Sequence, residues 1–520
     1  MASPAGILSL SNELLREILD QIEADPEKQV TVDRRSYLSQ ESFKPPPPPA
    51  PNQAQDIGAF RLTCKRFSEL GAVCQFARVT TRFSSKGFSR LENIAARPHL
   101  SQHVKKFSYM VPYFYVEGRE RIHQLPPEAQ ASLGTLDVRH FVRKINEQKE
   151  IVSSGEDERA LKHALAAFTS LQHVQILRVQ DRETATLLSY IRQHEDLNQL
   201  VELRWAPACS HSAKTLGAAL LESRSPCSRF SSPMLSPQSA IVLASHPPKA
   251  FTALAERLTC LELHFDDGTD LDNKMRELSD LFKLVFNAAK NMQAVHVGFP
   301  SHRPLSLRLE EIFHNVRWDK LLAFGIQAWR LDADEIIALA QRHRDRLKGL
   351  RLRDVLLKDG SMWKDVLAFL RDDMIRLDWV SLRRIGYARH FDEQWAVAGA
   401  EVPDDPPGGA SESDDESDWD PHATAEQDDS EISLEDMTDS SSDHDVSDDD
   451  NGPEEEGMDF PMISPDTPSS VPWCNCGRNS FLESPEALGD NGFFVSNAQR
   501  KIWEKWVVNR QQAPQAEAMT

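Results

Sequence analysis

Leu347-Lys348-Gly349-Leu350-Arg351-Leu352 sets the pattern from which the fold is read. One apolar residue is followed, after two other positions, by two alternate apolar residues. Alternation of this kind marks a short strand with one buried face. The pattern recurs at Val104/Phe107/Tyr109, Leu171/Val174/Ile176, Leu200/Leu203/Trp205, Leu258/Leu261/Leu263, Met292/Val295/Val297, Leu321/Phe324/Ile326 and Met374/Leu377/Trp379. The middle positions advance by 67, 29, 58, 34, 29, 26 and 27 residues. Such a period suits one strand and one helix per repeat, each repeat extending the core of its neighbour.

The segments between these strands have helical spacing. Asp270 to Asn287 carries Leu271, Met275, Leu278, Leu281, Phe282 and Val285. Asp332 to His343 carries Ile336, Ile337, Leu339 and Ala340, and Ser361 to Arg371 carries Trp363, Val366, Leu367 and Leu370. Apolar residues three and four apart form one helix face. Helix alternating with strand predicts an α/β body over residues 77–395 and argues against an all-helical array. Two insertions are expected within it. Residues 113–165 are helical in pattern, with Leu136, Val138, Phe141, Val142 and Ile145. Residues 207–250 are rich in Ser and Pro and predict a surface loop around 223–240.

A separate helical module is expected over residues 8–76. Ser11 is placed to cap a helix, with Leu10 and Leu15 positioned as a hydrophobic staple. Leu14, Leu15, Ile18, Leu19 and Ile22 form its apolar stripe, and Asp25-Pro26 ends it. Pro45 to Pro49 and Pro51 make residues 26–55 a spacer of polyproline character. Asp56 is placed to cap a second helix, with Ile57, Phe60, Cys64 and Phe67 along one face. A third piece is expected from Leu70 to Phe76.

Leu10-Ser11-Asn12-Glu13-Leu14-Leu15 and Phe60-Arg61-Leu62-Thr63-Cys64-Lys65-Arg66-Phe67 resemble the two halves of an F-box, here split by an insertion. The body pattern resembles a divergent leucine-rich repeat of the kind that follows the F-box in fungal proteins. The resemblance implies an α/β fold in which a small helical module precedes an irregular solenoid. It also implies a substrate-recognition subunit of an SCF-type cullin–RING E3 ubiquitin ligase, with no catalytic residue of its own. Leu10, Leu14, Leu15, Ile18, Leu19, Leu62, Cys64 and Phe67 would serve the Skp-type adaptor. The repeat body would hold a protein substrate. The alternative is a non-catalytic repeat scaffold that engages no ligase.

Composition narrows the classes further. The net charge of −21 is concentrated: residues 401–460 hold 25 Asp or Glu and no Lys or Arg, leaving the rest of the chain nearly neutral. That balance argues against a nucleic-acid partner. The acidic segment, 401–470, is expected to be disordered, and Ser413, Ser417, Ser433 and Ser442 each precede an acid by three residues. Beyond it, 471–510 is expected to be a tail with one amphipathic helix bearing Ile502, Trp503, Trp506 and Val507. That helix would cap the repeats or bind a partner. Seven scattered Cys suit reduced thiols, and Cys474-x-Cys476 has no matching ligand pair nearby, so neither disulfide nor metal is expected. Cys64 reads as a packing residue, the 17 His as isolated or surface-like, and His343 as exposed. No phosphate loop, nucleophile elbow or zinc-protease helix occurs, so no cofactor is expected. Lacking a signal peptide or an apolar run of membrane length, the chain reads as cytoplasmic and/or nuclear.

Overall fold

The computed structural model describes residues 7–22, 53–117, 138–178, 201–265, 270–391 and 484–508. The Pro-rich stretch at 45–51, the acidic segment at 401–470 and Cys474-x-Cys476 lie outside them.

Ten strands form one sheet in which every pairing is parallel. They are β1 (Arg78–Arg82), β2 (Lys106–Val111), β4 (His173–Arg178), β6 (Arg229–Leu235), β7 (Cys260–Phe265), β8 (Ala294–Gly298), β9 (Ala323–Leu331), β10 (Gly349–Leu357), β11 (Trp379–Arg383) and β12 (Gly386–Tyr387). The spatial order is the chain order from β1 to β11, and β12 pairs with β10 beyond β11. Outside this sheet, β3 (Phe114–Glu117) pairs antiparallel with β5 (Val201–Arg204). One column of paired residues runs across the main sheet: Val79, Phe107, Val174, Phe230, Leu261, Val295, Phe324, Leu350 and Val380. All but Phe230 are buried, because each faces the helices that link successive strands.

Those helices are α4 (Ser85–Ala95), α5 (Pro98–Ser101), α6 (Val138–Ser154), α7 (Glu156–Ala167), α8 (Trp205–Glu222), α9 (Pro237–Leu243), α10 (Pro248–Ala255), α11 (Leu271–Glu277), α12 (Ser279–Ala288), α13 (Leu309–Phe313), α14 (Ala333–Arg342) and α15 (Trp363–Asp372). Their sequences explain them locally. Ser84 caps α4 by accepting from the Gly87 amide at 3.1 Å. Asp332 and Glu335 form a capping box on α14, and Glu335 also accepts from the Leu309 amide at 2.9 Å, tying neighbouring units together. On α15, Trp363, Val366, Leu367 and Leu370 are wholly buried, as their spacing predicts. Asp157 on α7 and His211 on α8 meet at 2.7 Å, joining those two helices through a buried carboxylate. Among the described residues no helix is long and apolar enough to cross a membrane.

Six of the eight strand triplets predicted from sequence coincide with β2, β4, β7, β8, β9 and β10 and are buried throughout. Four readings need correction. Leu203 belongs to the separate β3–β5 pair. In β11 the inward residues are Val380 and Leu382, preceded by Leu377, so Met374/Leu377/Trp379 was read three residues early. The loop expected at 223–240 contains β6. Its backbone pairs on both sides, and its buried hydroxyls have partners: Ser231 Oγ lies 3.1 Å from His173 Nε2. Hydroxyls with partners cost little to bury, so Ser232 can take the inward position that Leu263 fills in β7, while Ser231 stands in the outward row beside Glu262. Likewise Asp270 to Asn287 breaks at Leu278 into α11 and α12, with Ser279 Oγ donating to the Glu311 carbonyl at 2.5 Å.

The last strands bend at one shared register. Ala328, Asp354 and Arg384 have φ of 55°, 50° and 48°. This left-handed conformation is uncommon for non-glycine residues. Arg384 Nε donates to Asp354 Oδ1 at 2.6 Å, and Ser301 donates to Asp354 Oδ2 at 2.9 Å, fixing the bend.

Candidate functional site

The N-terminal module comprises a 3₁₀ turn (Ile7–Ser9), α1 (Asn12–Ile22), α2 (Gln53–Thr63) and α3 (Lys65–Gln75). The Leu14 amide donates to Ser11 Oγ at 3.4 Å, as the cap predicts. The second helix starts earlier than expected, with Asp56 inside its first turn, and it ends at Thr63. Cys64 is extended, with φ −163° and ψ 166°, so the predicted 57–67 helix is two helices with a break. Leu15, Leu19, Phe67 and Leu70 form the buried centre, with Leu10, Ile18, Phe60, Cys64 and Cys74 packed against it. Phe60 and Phe67 stack at 4.4 Å. Arg66 joins the separated halves by donating to the carbonyls of Leu8 at 3.0 Å and Leu10 at 2.7 Å, and to Asn12 Oδ1 at 2.8 Å. Gly71 lets α2 approach α3, since a Cβ there would meet Arg61 Cγ at 2.5 Å.

The eight residues assigned to the adaptor from sequence thus divide. Leu15, Leu19 and Phe67 are interior, and Leu10, Ile18 and Cys64 are partly buried. Leu14 and Leu62 are 48 % and 64 % exposed, and Leu8 (61 %) and Val73 (42 %) are further exposed apolar side chains of the module. An apolar residue that stabilises nothing at home is available to a partner.

A second candidate lies on the sheet face opposite the helices. Its outward positions form three rows across β7 to β11. Cys260, Ala294 and Ala323 are small and buried, and Trp379 packs against them. The Trp379 indole lies over Gly349, where a Cβ would meet it at 2.1 Å. The next row pairs Glu262 with His296, and continues through Gly325 to Arg351. The third pairs His264 with Gly298, then Gln327 and Arg353. His264 fits because Gly298 has no Cβ, which would sit 2.6 Å from its ring. The His264 and His296 ring centroids are 4.8 Å apart. Donor atoms of Glu262, His264 and His296 all lie within 4.8 Å of one another, the one such group of three among the described residues. His296 is wholly buried, and among the described residues neither of its ring nitrogens has a hydrogen-bond partner. Burial, reinforced by Arg351 and Arg353, pushes His264 down to about 3 and His296 well below its ordinary value. Both imidazoles are therefore neutral, the form that offers a nitrogen lone pair.

The histidines are not uniformly isolated or surface-like, and His343 is not exposed. His173, His264, His296 and His343 are buried. His343 stacks on Trp318 at 5.7 Å and accepts from its amide at 3.2 Å, so it is a packing residue. Residues 32 positions apart become neighbours only through the β7–β8 register. The one local signal was that His264 and His296 sit on the polar alternation of predicted strands. Cys64 stands where expected, packed against the module core. Among the described residues Cys64, Cys74, Cys209, Cys227 and Cys260 form no disulfide. Compared with protein-family models and with curated proteins, the chain gives no match.

Proposed function

We propose that this chain is the substrate-recognition subunit of an SCF-type cullin–RING E3 ubiquitin ligase. In this reading the F-box-like module binds the Skp-type adaptor, and a leucine-rich-repeat-like solenoid binds a protein substrate in the cytoplasm or nucleus. The observation that carries it is the division of labour in the module. Leu15, Leu19, Phe67 and Leu70 join α1 to α3, with Phe60 of α2 packed against them, while Leu14 and Leu62 remain exposed. The sheet supports the repeat reading, since its parallel strands follow one another in chain order with helices between them. The mechanism is proximity: a receptor held by the adaptor raises the effective concentration of a substrate lysine near the ubiquitin-charged enzyme.

The test is co-purification with recombinant Skp-type adaptor, read by size-exclusion chromatography with light scattering. A one-to-one complex is expected. Leu14→Asp combined with Leu62→Asp should abolish it and leave the circular dichroism unchanged, because both side chains are exposed. Leu15 is unsuitable for this purpose, since a charge at a wholly buried position would unfold the module. Well-folded wild-type protein eluting apart from the adaptor would refute the ligase reading and favour a repeat scaffold.

A further inference from the structure

We propose that Glu262, His264 and His296 form a binding site for a divalent transition-metal ion such as zinc on the sheet face opposite the helices. The inference is independent of the ligase reading.

Three observations carry it. The donor set is two imidazoles and one carboxylate, the combination that zinc and its neighbours accept. The donors converge: β7 supplies Glu262 and His264, β8 supplies His296, and their ligand atoms lie within 4.8 Å of one another. Ligands around a tetrahedral ion at bond lengths of about 2.0–2.2 Å sit roughly 3–3.5 Å apart. Closing that difference calls for side-chain rotation on binding. Finally, His296 is fully buried, and both its ring nitrogens are unmatched among the described residues. A buried polar group without a partner is costly, and coordination of one nitrogen removes part of that cost.

The surrounding charges act in both senses, and it is the donor set that favours a cation. Glu262 repels an anion and completes a cation site. Arg351 and Arg353 act on the two histidines in the opposite sense, and they weaken the binding of a bare cation. Three protein ligands leave a coordination position open, so a metal held here can take a further ligand.

The test uses the full chain, stripped with chelator and titrated with zinc against a chromophoric competitor, then with cobalt to record ligand-field bands. One equivalent is expected to bind. His296→Ala and His264→Ala should each weaken it by about 100-fold, and Glu262→Gln by about 10-fold. Arg351→Gln should tighten it several-fold, which a merely structural role for the cluster would not produce. Cys474→Ser with Cys476→Ser should leave this equivalent intact, separating it from thiol binding elsewhere. Each variant is first matched to wild type by circular dichroism in chelator. Folded wild-type protein that binds zinc no tighter than about 100 µM would overturn the proposal. So would binding that His296→Ala leaves unchanged, or tight uptake of inorganic phosphate by the metal-free protein that Arg351→Gln abolishes.

Discussion

Replacement of Trp503 by Ala should free the C-terminal helix α16 (Asn497–Val508) from the last strand of the sheet. The indole is wholly buried in the main core, beside Leu488, Trp506 and Val507, and its Nε1 donates to the Leu488 carbonyl at 3.0 Å. Truncation of a buried Trp to Ala costs ~3–5 kcal/mol. The lost hydrogen bond adds only ~1 kcal/mol, since Gln499 Nε2 also donates to the Leu488 carbonyl at 3.2 Å and leaves that oxygen paired. A total of ~4–6 kcal/mol exceeds what one helix needs to stay docked, so local release is expected before global unfolding. Release exposes β11, whose backbone α16 satisfies with side chains. The Leu382 amide donates to Glu504 Oε1 at 2.5 Å, and Arg500 donates to the Leu382 carbonyl. An uncovered edge strand invites pairing with another chain. Hydrogen exchange should therefore show the Leu382 amide losing protection in Trp503→Ala, with self-association by light scattering. Trp503→Phe, which keeps most of the volume, should cost only ~1–2 kcal/mol. A Trp503→Ala protein within ~1 kcal/mol of wild type in denaturant titration, with Leu382 still protected, would refute the capping role.

Two further outcomes follow from single residues. Gly349→Ala places a Cβ 2.1 Å from the Trp379 indole and should destabilise the protein by ~1–3 kcal/mol, with Gly349→Ala/Trp379→Leu recovering most of it in a double-mutant cycle. Failure of the second substitution to rescue the first would show that the clash is not the cause. Burial holds His343 down at about 4, so the unfolded chain binds its proton more tightly than the folded one. Its contribution to stability is thus complete above about 6.5 and is lost as pH falls from there toward 4. Between pH 7.5 and 5.5 that loss is about 1 kcal/mol, and denaturant titrations of His343→Gln at both values should show a correspondingly smaller drop than wild type.

Reading the strands from sequence worked where burial is one-sided and apolar. Leu321/Phe324/Ile326 and Leu347/Leu350/Leu352 are legible because every inward position must leave water. The reading failed at β6, where Phe230 is followed by Ser231 and Ser232, buried hydroxyls that hide the strand in a Ser- and Pro-rich stretch. At β11 two triplets three residues apart fit the local rule equally well, and only pairing of Leu350 with Val380 selects one. The N-terminal stripe was found as a whole, but its division was not. Leu14 and Leu15 are adjacent in sequence and equally apolar, yet one is 48 % exposed and the other buried, because α3 covers one side of α1.

The sequence by itself determined the alternation of strand and helix, the Ser11 cap, the apolar face of most elements and the concentration of charge in 401–460. These depend on residues close together in the chain, whose spacing fixes a face or a terminus. Tertiary structure alone decided which histidines meet, which leucines of the module stay exposed, and that α16 covers the sheet edge. Glu262 and His296 become neighbours through strand register, and Trp503 reaches its site from beyond a long intervening segment. Contacts of that kind are set by the packing of whole elements, and no local pattern encodes the distance they span.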